Sequence, residues 1–233
     1  MMLFFDPTYL LCMAPAFLLM MLATWYVNSS YRTWLRVRTR SGLTGVQAAQ
    51  RLISAGGLYG VRIEGISGNL TDHYDPRDKV LRLSSTVANN PSVASVAVAA
   101  HELGHAMQDS EGYLPMRFRG AIVPMVNIGS YLGWILIFAG LLLRATNIAW
   151  LGVLVFSGGL VFALATLPVE INASSRAKRL LVESGIIQGE DEQRGVNTVL
   201  NAAALTYIAG AVTAFMQLLY FVMLIGGIGG RRR

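Results

Sequence analysis

The sequence predicts a mainly α-helical membrane protein with about four transmembrane helices and a small cytosolic α+β domain. Of its 233 residues, 54% are hydrophobic and 14% are charged, whereas soluble domains carry about a quarter charged residues. Four apolar stretches reach the roughly 20 residues that a helix needs to cross a bilayer. A polar segment with strand-like alternation follows the first of them and predicts the small domain.

The four apolar stretches divide the chain into five predicted segments. The predicted spans cover about residues 8–27, 120–143, 148–167 and 199–228. Because only a few residues around Asn147 separate the second span from the third, these two are expected to form a hairpin. The predicted segments are an N-terminal anchor (1–27), a cytosolic domain (28–119), the hairpin (120–167), a cytosolic helix (168–198) and a C-terminal transmembrane helix with a basic tail (199–233).

The distribution of Lys and Arg predicts on which side of the membrane each segment lies. Segments 28–119 and 168–198 contain 15 of the 19 Lys and Arg residues. Cytosolic loops are enriched in these residues, so both segments are expected in the cytosol, at a bacterial plasma membrane. The arginines at 231–233 oppose this rule and leave the topology of the fourth span open.

Charge and cysteine content exclude several classes of protein. The net charge of +6 comes from basic residues beside apolar runs without interleaved aromatic residues, which disfavours a nucleic-acid partner. The first span is expected to be an anchor and not a cleaved signal, because residues 1–7 include no basic residue. Cys12 is the single cysteine, so a metal site would have to use His and carboxylate ligands.

The segment 28–119 is expected to form a small mixed domain. Residues 45–53 have helical spacing, while 61–66 and 79–84 alternate as half-buried strands do. Since a turn-like composition separates the two alternating runs, we expect two or three short strands in an antiparallel arrangement.

The segment His101-Glu102-Leu103-Gly104-His105 carries the clearest chemical signal. Two histidines four residues apart on a helix share one face and can bind one metal ion. A glutamate beside them can reach a water molecule as general base, which is the arrangement of zinc hydrolases. A small residue at Gly104 would let another backbone come close, although packing alone would also explain it. The sequence therefore predicts a Zn²⁺ site.

The helix that carries this motif is predicted to begin at a cap formed by Asn90 or Ser92. Only about eight apolar residues separate the cap from His101, which is too short to cross a bilayer. The motif is therefore expected beside the membrane, and a site-2-type intramembrane protease is the less favoured alternative.

The third ligand is narrowed to His73 and the acidic residues, among which Glu170 fits best. Glu170 lies at the end of the third predicted span, where a charge must be paired, hydrated or bound to a metal. An ion pair with Arg176 or Lys178 is the alternative for it. Asp109, one turn beyond the motif, is expected to be a surface or supporting residue.

The sequence allows two alternative roles for each of three other polar residues, Asn172, Arg176 and His73. Asn172 and Arg176 share a predicted helix with Glu170 and would stabilise an oxyanion or hold a ligating histidine, or they belong to a basic face near lipid headgroups. For His73 a cleft-lining or structural role is favoured over ligation. The acidic run 190–192 suits the start of the last helix.

Taken together, these residues identify a known family. The chain resembles the YugP-like family of membrane neutral zinc metallopeptidases and is similar to HtpX-type membrane proteases. The segments that carry this resemblance are LTDHYDP (70–76), LRLS (81–84), SVAVAAHELGHAMQ (95–108) and LPVEINASSRA (167–177). The resemblance implies a zincin-like catalytic domain facing the cytosol, with His101, His105 and Glu170 as zinc ligands and Glu102 as general base.

The resemblance also implies two supporting features. In the HtpX-type pattern an Asp lies four residues after the ligand Glu and supports a zinc-bound histidine, whereas this chain has Ser174 there and Asn172 nearby. The strand 79–84 is implied as an edge to which an extended peptide substrate adds.

The function that these observations predict is a zinc-dependent metalloendopeptidase that acts on membrane or membrane-proximal proteins. Its expected partners are protein or peptide substrates and the lipid bilayer, and a membrane-protein partner or homo-oligomer stays open. The alternatives are a non-enzymatic or latent metal-stabilised scaffold or adaptor, and the intramembrane protease considered above.

Overall fold

The structure is a computed structural model, which describes residues 7–230; the predicted N-terminal flank at 1–6 and basic tail at 231–233 lie outside the described residues. Within that range the chain forms eight helices and three strands. The elements are α1 (Pro7–Leu35), α2 (Gly45–Ala55), β1 (Arg62–Ile66), β2 (His73–Asp75), β3 (Val80–Ser84), α3 (Ser85–Asn89), α4 (Val93–Ser110), α5 (Leu114–Leu142), α6 (Thr146–Phe156), α7 (Gly158–Glu183) and α8 (Gly189–Gly230).

Four helical stretches are long and apolar enough to cross a membrane. They are Pro7–Leu35, Leu114–Leu142, Thr146–Glu183 and Gly189–Gly227. The third combines α6 and α7, which meet at Ser157. The stretches extend past the predicted apolar runs because polar residues continue the same helices. The predicted class, a mainly α membrane protein with a small sheet, is confirmed.

The described chain divides into two compact units. The membrane unit contains residues 7–23, 118–167 and 206–230, and the sheet unit contains residues 24–117 and 168–205. The membrane unit has a core that includes Ile137, Tyr220 and Phe221. Its surface exposes large apolar side chains such as Leu142, at 85%, and Tyr131, at 78%, as expected for helices in lipid.

The sheet unit contains a three-stranded sheet in the order β1-β3-β2. β3 pairs with β2 in the predicted antiparallel manner, but it pairs with β1 in parallel. The expectation of an all-antiparallel sheet is therefore wrong for β1. The expectation that 79–84 offers a free edge is also wrong, because β3 is the central strand. Alternation reports which face of a strand is buried and carries no information about its neighbours.

α4 lies at the centre of the apolar core of the sheet unit. Most of its residues are buried, and its contacts include α2, α3, β2 and β3. The Ser92 side chain accepts a hydrogen bond from the backbone N–H of Ser95, which caps the helix as predicted. α2 likewise begins at a capping box formed by Thr44 and Gln47. The cap at Ser92 fixes where α4 begins, and the motif follows about two turns later at His101.

The start of α8 is held by a buried carboxylate. Glu192 is 2% exposed, and its two oxygens accept hydrogen bonds of 2.6 Å from the backbone N–H groups of Arg40 and Gln188. Glu190, Asp191 and Glu192 all lie in the first helical turn, as the sequence predicted. Glu192 therefore caps the helix and also joins it to the loop after α1.

We expect Glu192→Ala to lower the free energy of unfolding by about 1–3 kcal/mol, because two partly buried hydrogen bonds to a carboxylate are lost. Thermal or denaturant unfolding in detergent measures the change. Glu190→Ala is the matched control, since Glu190 is exposed in the same turn. Equal stability of the two variants would contradict the stabilising role of the Glu192 carboxylate.

Candidate metal centre

Two helices bring three side chains that could bind a metal ion together within the sheet unit. α4 supplies His101 and His105 from successive turns, and α7 supplies Glu170. The Nε2 atoms of His101 and His105 lie 3.2 and 3.6 Å from Glu170 Oε2. His105 is 8% exposed and Glu170 is 3% exposed, so the group is largely shielded from solvent. Their ligand atoms all lie within 4.8 Å of one another, which is compact enough to hold one ion.

Gly104 allows this convergence. A Cβ atom at Gly104 would lie 2.5 Å from the backbone oxygen of Ala173 on α7. The two helix backbones can therefore approach this closely only because residue 104 has no side chain. The close approach aligns the turn that carries the histidines with the turn that carries Glu170.

The carboxylate of Glu102 faces the sheet. Its Oε2 atom accepts a hydrogen bond of 3.1 Å from the backbone N–H of Tyr74 in β2. Burial raises the pKa of Glu102 above its ordinary value, and the neighbouring histidines only partly oppose this effect. A carboxylate with a raised pKa is a stronger base, as general-base chemistry near neutral pH requires.

The second ring nitrogen of each histidine is also held. Ser174 Oγ lies 3.2 Å from His101 Nδ1, and Ser174 stands at the position where the HtpX-type pattern has an Asp. Gln108 Oε1 lies 3.0 Å from His105 Nδ1. Gln108 Nε2 in turn donates a hydrogen bond of 2.9 Å to Asn172 Oδ1. Holding the remote nitrogen orients a ring for ligation through the other nitrogen.

Arg176 is not part of a solvated basic face. Its side chain is 13% exposed and forms a double hydrogen bond of 2.6 and 2.7 Å with the Glu111 carboxylate. Its Nε donates to Asn172 Oδ1 at 2.7 Å. Arg176 also lies over the ring of Tyr113. Its connection to His105 is indirect, through hydrogen bonds by way of Asn172 and Gln108.

Two predicted candidates lie apart from the three clustered side chains. His73 Nδ1 is 2.9 Å from the carbonyl oxygen of Thr71, and His73 is not a member of the cluster found among the described residues. Asp109 accepts a hydrogen bond of 2.9 Å from the Tyr74 hydroxyl. Asp109 thus ties β2 to α4, and the bond does not involve any of the three clustered side chains.

Gln108 and the backbone of Tyr74 contact the site but were not singled out from the sequence. Spacing provided a signal for Gln108, which lies three residues after His105 and so shares a helix face with a candidate ligand. The Tyr74 contact depends on the placement of a strand and has no local signal.

The side chains present fit a zinc ion. Two imidazoles and one carboxylate form a donor set that zinc hydrolases use, and it leaves a fourth position for water or substrate. The fold and the site together define a membrane protein with a largely buried candidate metal site, whose donor set is the one that metallohydrolases use.

Comparisons with known proteins agree with this class. The chain belongs to the family described as "Putative neutral zinc metallopeptidase", whose model matches residues 9–226. It is 45% identical over 202 residues to the "Putative membrane protease YugP" of Bacillus subtilis (strain 168), which covers 87% of this chain and 89% of that protein. No solved structure matches the chain. The family resemblance is confirmed, and both descriptions support a protease function.

We expect Gly104→Ala to separate α4 from α7, because the added methyl group would collide with the Ala173 carbonyl. Overpacking of this kind costs about 1–3 kcal/mol of stability, and the displaced Glu170 would also weaken zinc binding. Unfolding and zinc-competition titrations measure the two effects. Gly210→Ala is the control, since a Cβ at that helical glycine has no neighbour within 4 Å. Zinc binding unchanged by Gly104→Ala would show that the close approach is unimportant.

Proposed function

We propose that this protein is a zinc endopeptidase that hydrolyses peptide bonds of membrane or membrane-proximal proteins at the cytosolic face of a bacterial plasma membrane. The observation that carries the proposal is that the ligand atoms of His101, His105 and Glu170 converge within 4.8 Å. Glu102 lies on α4, the helix that carries both histidines. Family membership supports the same activity.

In this proposal His101, His105 and Glu170 hold the metal ion. Bound zinc supplies a Lewis acid, which polarises a substrate carbonyl and makes water a stronger acid. The chain contributes a largely buried pocket for it, because Glu170 and His105 are each less than a tenth exposed. Electrostatic interactions are stronger in such a shielded site than in water.

Glu102 is the proposed general base. Its carboxylate takes a proton from the attacking water and passes a proton to the departing amine, so it is restored after each turnover. The hydrogen bond from Tyr74 N–H to Oε2 holds the carboxylate in one orientation.

The edge of β2 is the proposed place for an extended peptide. β2 pairs with β3 on one side, and the Tyr74 N–H points to Glu102 on the other. Because the N–H and C=O of one strand residue point the same way, the Tyr74 carbonyl is directed towards that side as well. A peptide that adds along this edge would pass beside the base.

The cytosolic orientation rests on the distribution of basic residues, which favours the sheet unit on the cytosolic side. The structure does not favour the intramembrane alternative. The motif lies on α4, an 18-residue helix that is not among the candidate spans of the described chain.

We expect Glu102→Gln to lower the rate of peptide cleavage on the order of 10²–10⁴-fold while zinc remains bound, because the amide cannot accept the proton. A chelator-sensitive casein or model-peptide assay, combined with metal analysis, measures both quantities. Glu190→Gln is the control, since Glu190 is exposed and outside the cluster.

Two outcomes would contradict the proposal in different ways. Cleavage by Glu102→Gln at the wild-type rate would exclude Glu102 as the base. Stoichiometric zinc in the wild-type protein without turnover of any substrate would favour the scaffold, or a latent enzyme that needs an activating partner.

A second prediction separates the two candidates for the third ligand. We expect Glu170→Ala to weaken zinc binding by 10-fold or more, on the order of the loss seen when a metal site is disrupted, and His73→Ala to leave it unchanged. The reason is that Glu170 Oε2 lies within 3.6 Å of both histidine Nε2 atoms, whereas His73 is bonded to Thr71. Competition against a zinc chelator measures both affinities. The opposite order of effects would assign the ligand to His73.

A further inference from the structure

Gln108 is a fully buried amide that connects both ligand-bearing helices. It has no exposed surface, and each polar atom of its side chain is within hydrogen-bond distance of a partner. Its Oε1 lies 3.0 Å from His105 Nδ1, while its Nε2 lies 2.8 Å from the Val169 carbonyl oxygen and 2.9 Å from Asn172 Oδ1. Both Nε2 hydrogens are therefore used.

These partners fix the direction of every bond around His105. The Val169 carbonyl oxygen can only accept, so the Gln108 atom that faces it must be the amide nitrogen. Gln108 Oε1 is then the atom that faces His105 Nδ1, and because an amide oxygen only accepts, Nδ1 must carry the proton. In the neutral ring this leaves the lone pair on Nε2, the atom that faces Glu170.

The orientation of Asn172 is fixed in the same manner. An arginine side chain can only donate, so the Asn172 atom that Arg176 Nε contacts at 2.7 Å must be the oxygen. That oxygen is also the acceptor for Gln108. Arg176 is in turn held by its double hydrogen bond to Glu111. Hydrogen bonds with fixed donors and acceptors therefore connect the ion pair of Arg176 and Glu111, through Asn172 and Gln108, to His105.

His101 has no equivalent constraint. Its Nδ1 lies 3.2 Å from the hydroxyl of Ser174, and a hydroxyl can either donate or accept. Ser174 therefore holds the ring without selecting its tautomer. The two histidines differ in this respect although both lie on α4.

We infer that Gln108 is a positioning residue that keeps His105 in the Nδ1–H tautomer, with Nε2 directed at the metal position, and thereby sets the affinity of the site for zinc. The inference rests on the proposed function in one respect, namely that the site binds a metal. It concerns metal affinity, and it holds whether or not the protein cleaves peptides.

Two variants of Gln108 test the inference in the purified full-length protein. Gln108→Met keeps the length of the side chain but removes the acceptor for Nδ1–H, so zinc affinity is expected to fall by about 10–100-fold. Gln108→Glu keeps an acceptor and loses the two donor bonds to α7. Its zinc affinity is expected to stay near that of the wild type, since a carboxylate also orients a ligating histidine. Gln50→Met, on the exposed face of α2, is the matched control.

Zinc affinity is measured by chelator competition, and the stability of the metal-free protein by thermal unfolding. Both Gln108 variants lose the bonds to Val169 and Asn172, so both are expected to be less stable, but only Gln108→Met is expected to bind zinc weakly. Equal losses of affinity in the two variants, or wild-type affinity in Gln108→Met, would overturn the inference and leave the peptidase proposal intact. Failure of the wild-type protein to bind zinc would overturn both.

Discussion

The site depends on the close approach of two helix backbones at Gly104 and Ala173. Without a side chain at residue 104, α7 can lie so near α4 that Glu170 Oε2 comes within 3.6 Å of both histidine Nε2 atoms. The carboxylate is separated from His101 by 69 residues of sequence, so no local structure can bring the two together. Helix packing alone has to do so, and a methyl group at the contact would be enough to prevent it.

The burial that shields the site also imposes its hydrogen-bond network. Gln108 and Glu170 are almost completely buried, and an unpaired polar group in such a place costs about 1–3 kcal/mol. The partners that satisfy Gln108 lie on α7, at Val169 and Asn172. The same bonds therefore offset the cost of burial and stabilise the packing of α7 on α4. The bond between His105 Nδ1 and Gln108 Oε1 acts separately, on the orientation of one histidine ring.

Local features could be predicted from the sequence, whereas pairings between distant segments could not. The existence of the four spans, the cap at Ser92 and the acidic start of α8 could be predicted, because each depends on composition or on residues close together in the sequence. Glu170 could be nominated as a ligand because the chain has only three histidines and one cysteine. The parallel pairing of β1 with β3 and the partners of Gln108 arise only when remote segments meet. Alternation and helical spacing contain no information on which distant segments pair or pack against each other.

Tyr74 links β2 to the motif helix at two points, and this gives the strand a role although none of its residues belongs to the cluster of His101, His105 and Glu170. Successive residues on a helix are about 100° apart, so Glu102 cannot share the face of His101 and is directed to the sheet instead. The Tyr74 backbone holds Glu102 there, while its hydroxyl binds Asp109 two turns further along α4. These two hydrogen bonds, two helical turns apart, hold Tyr74 at a defined position along α4. The edge of β2 is therefore held at a constant position relative to Glu102, as the register of a bound peptide would require.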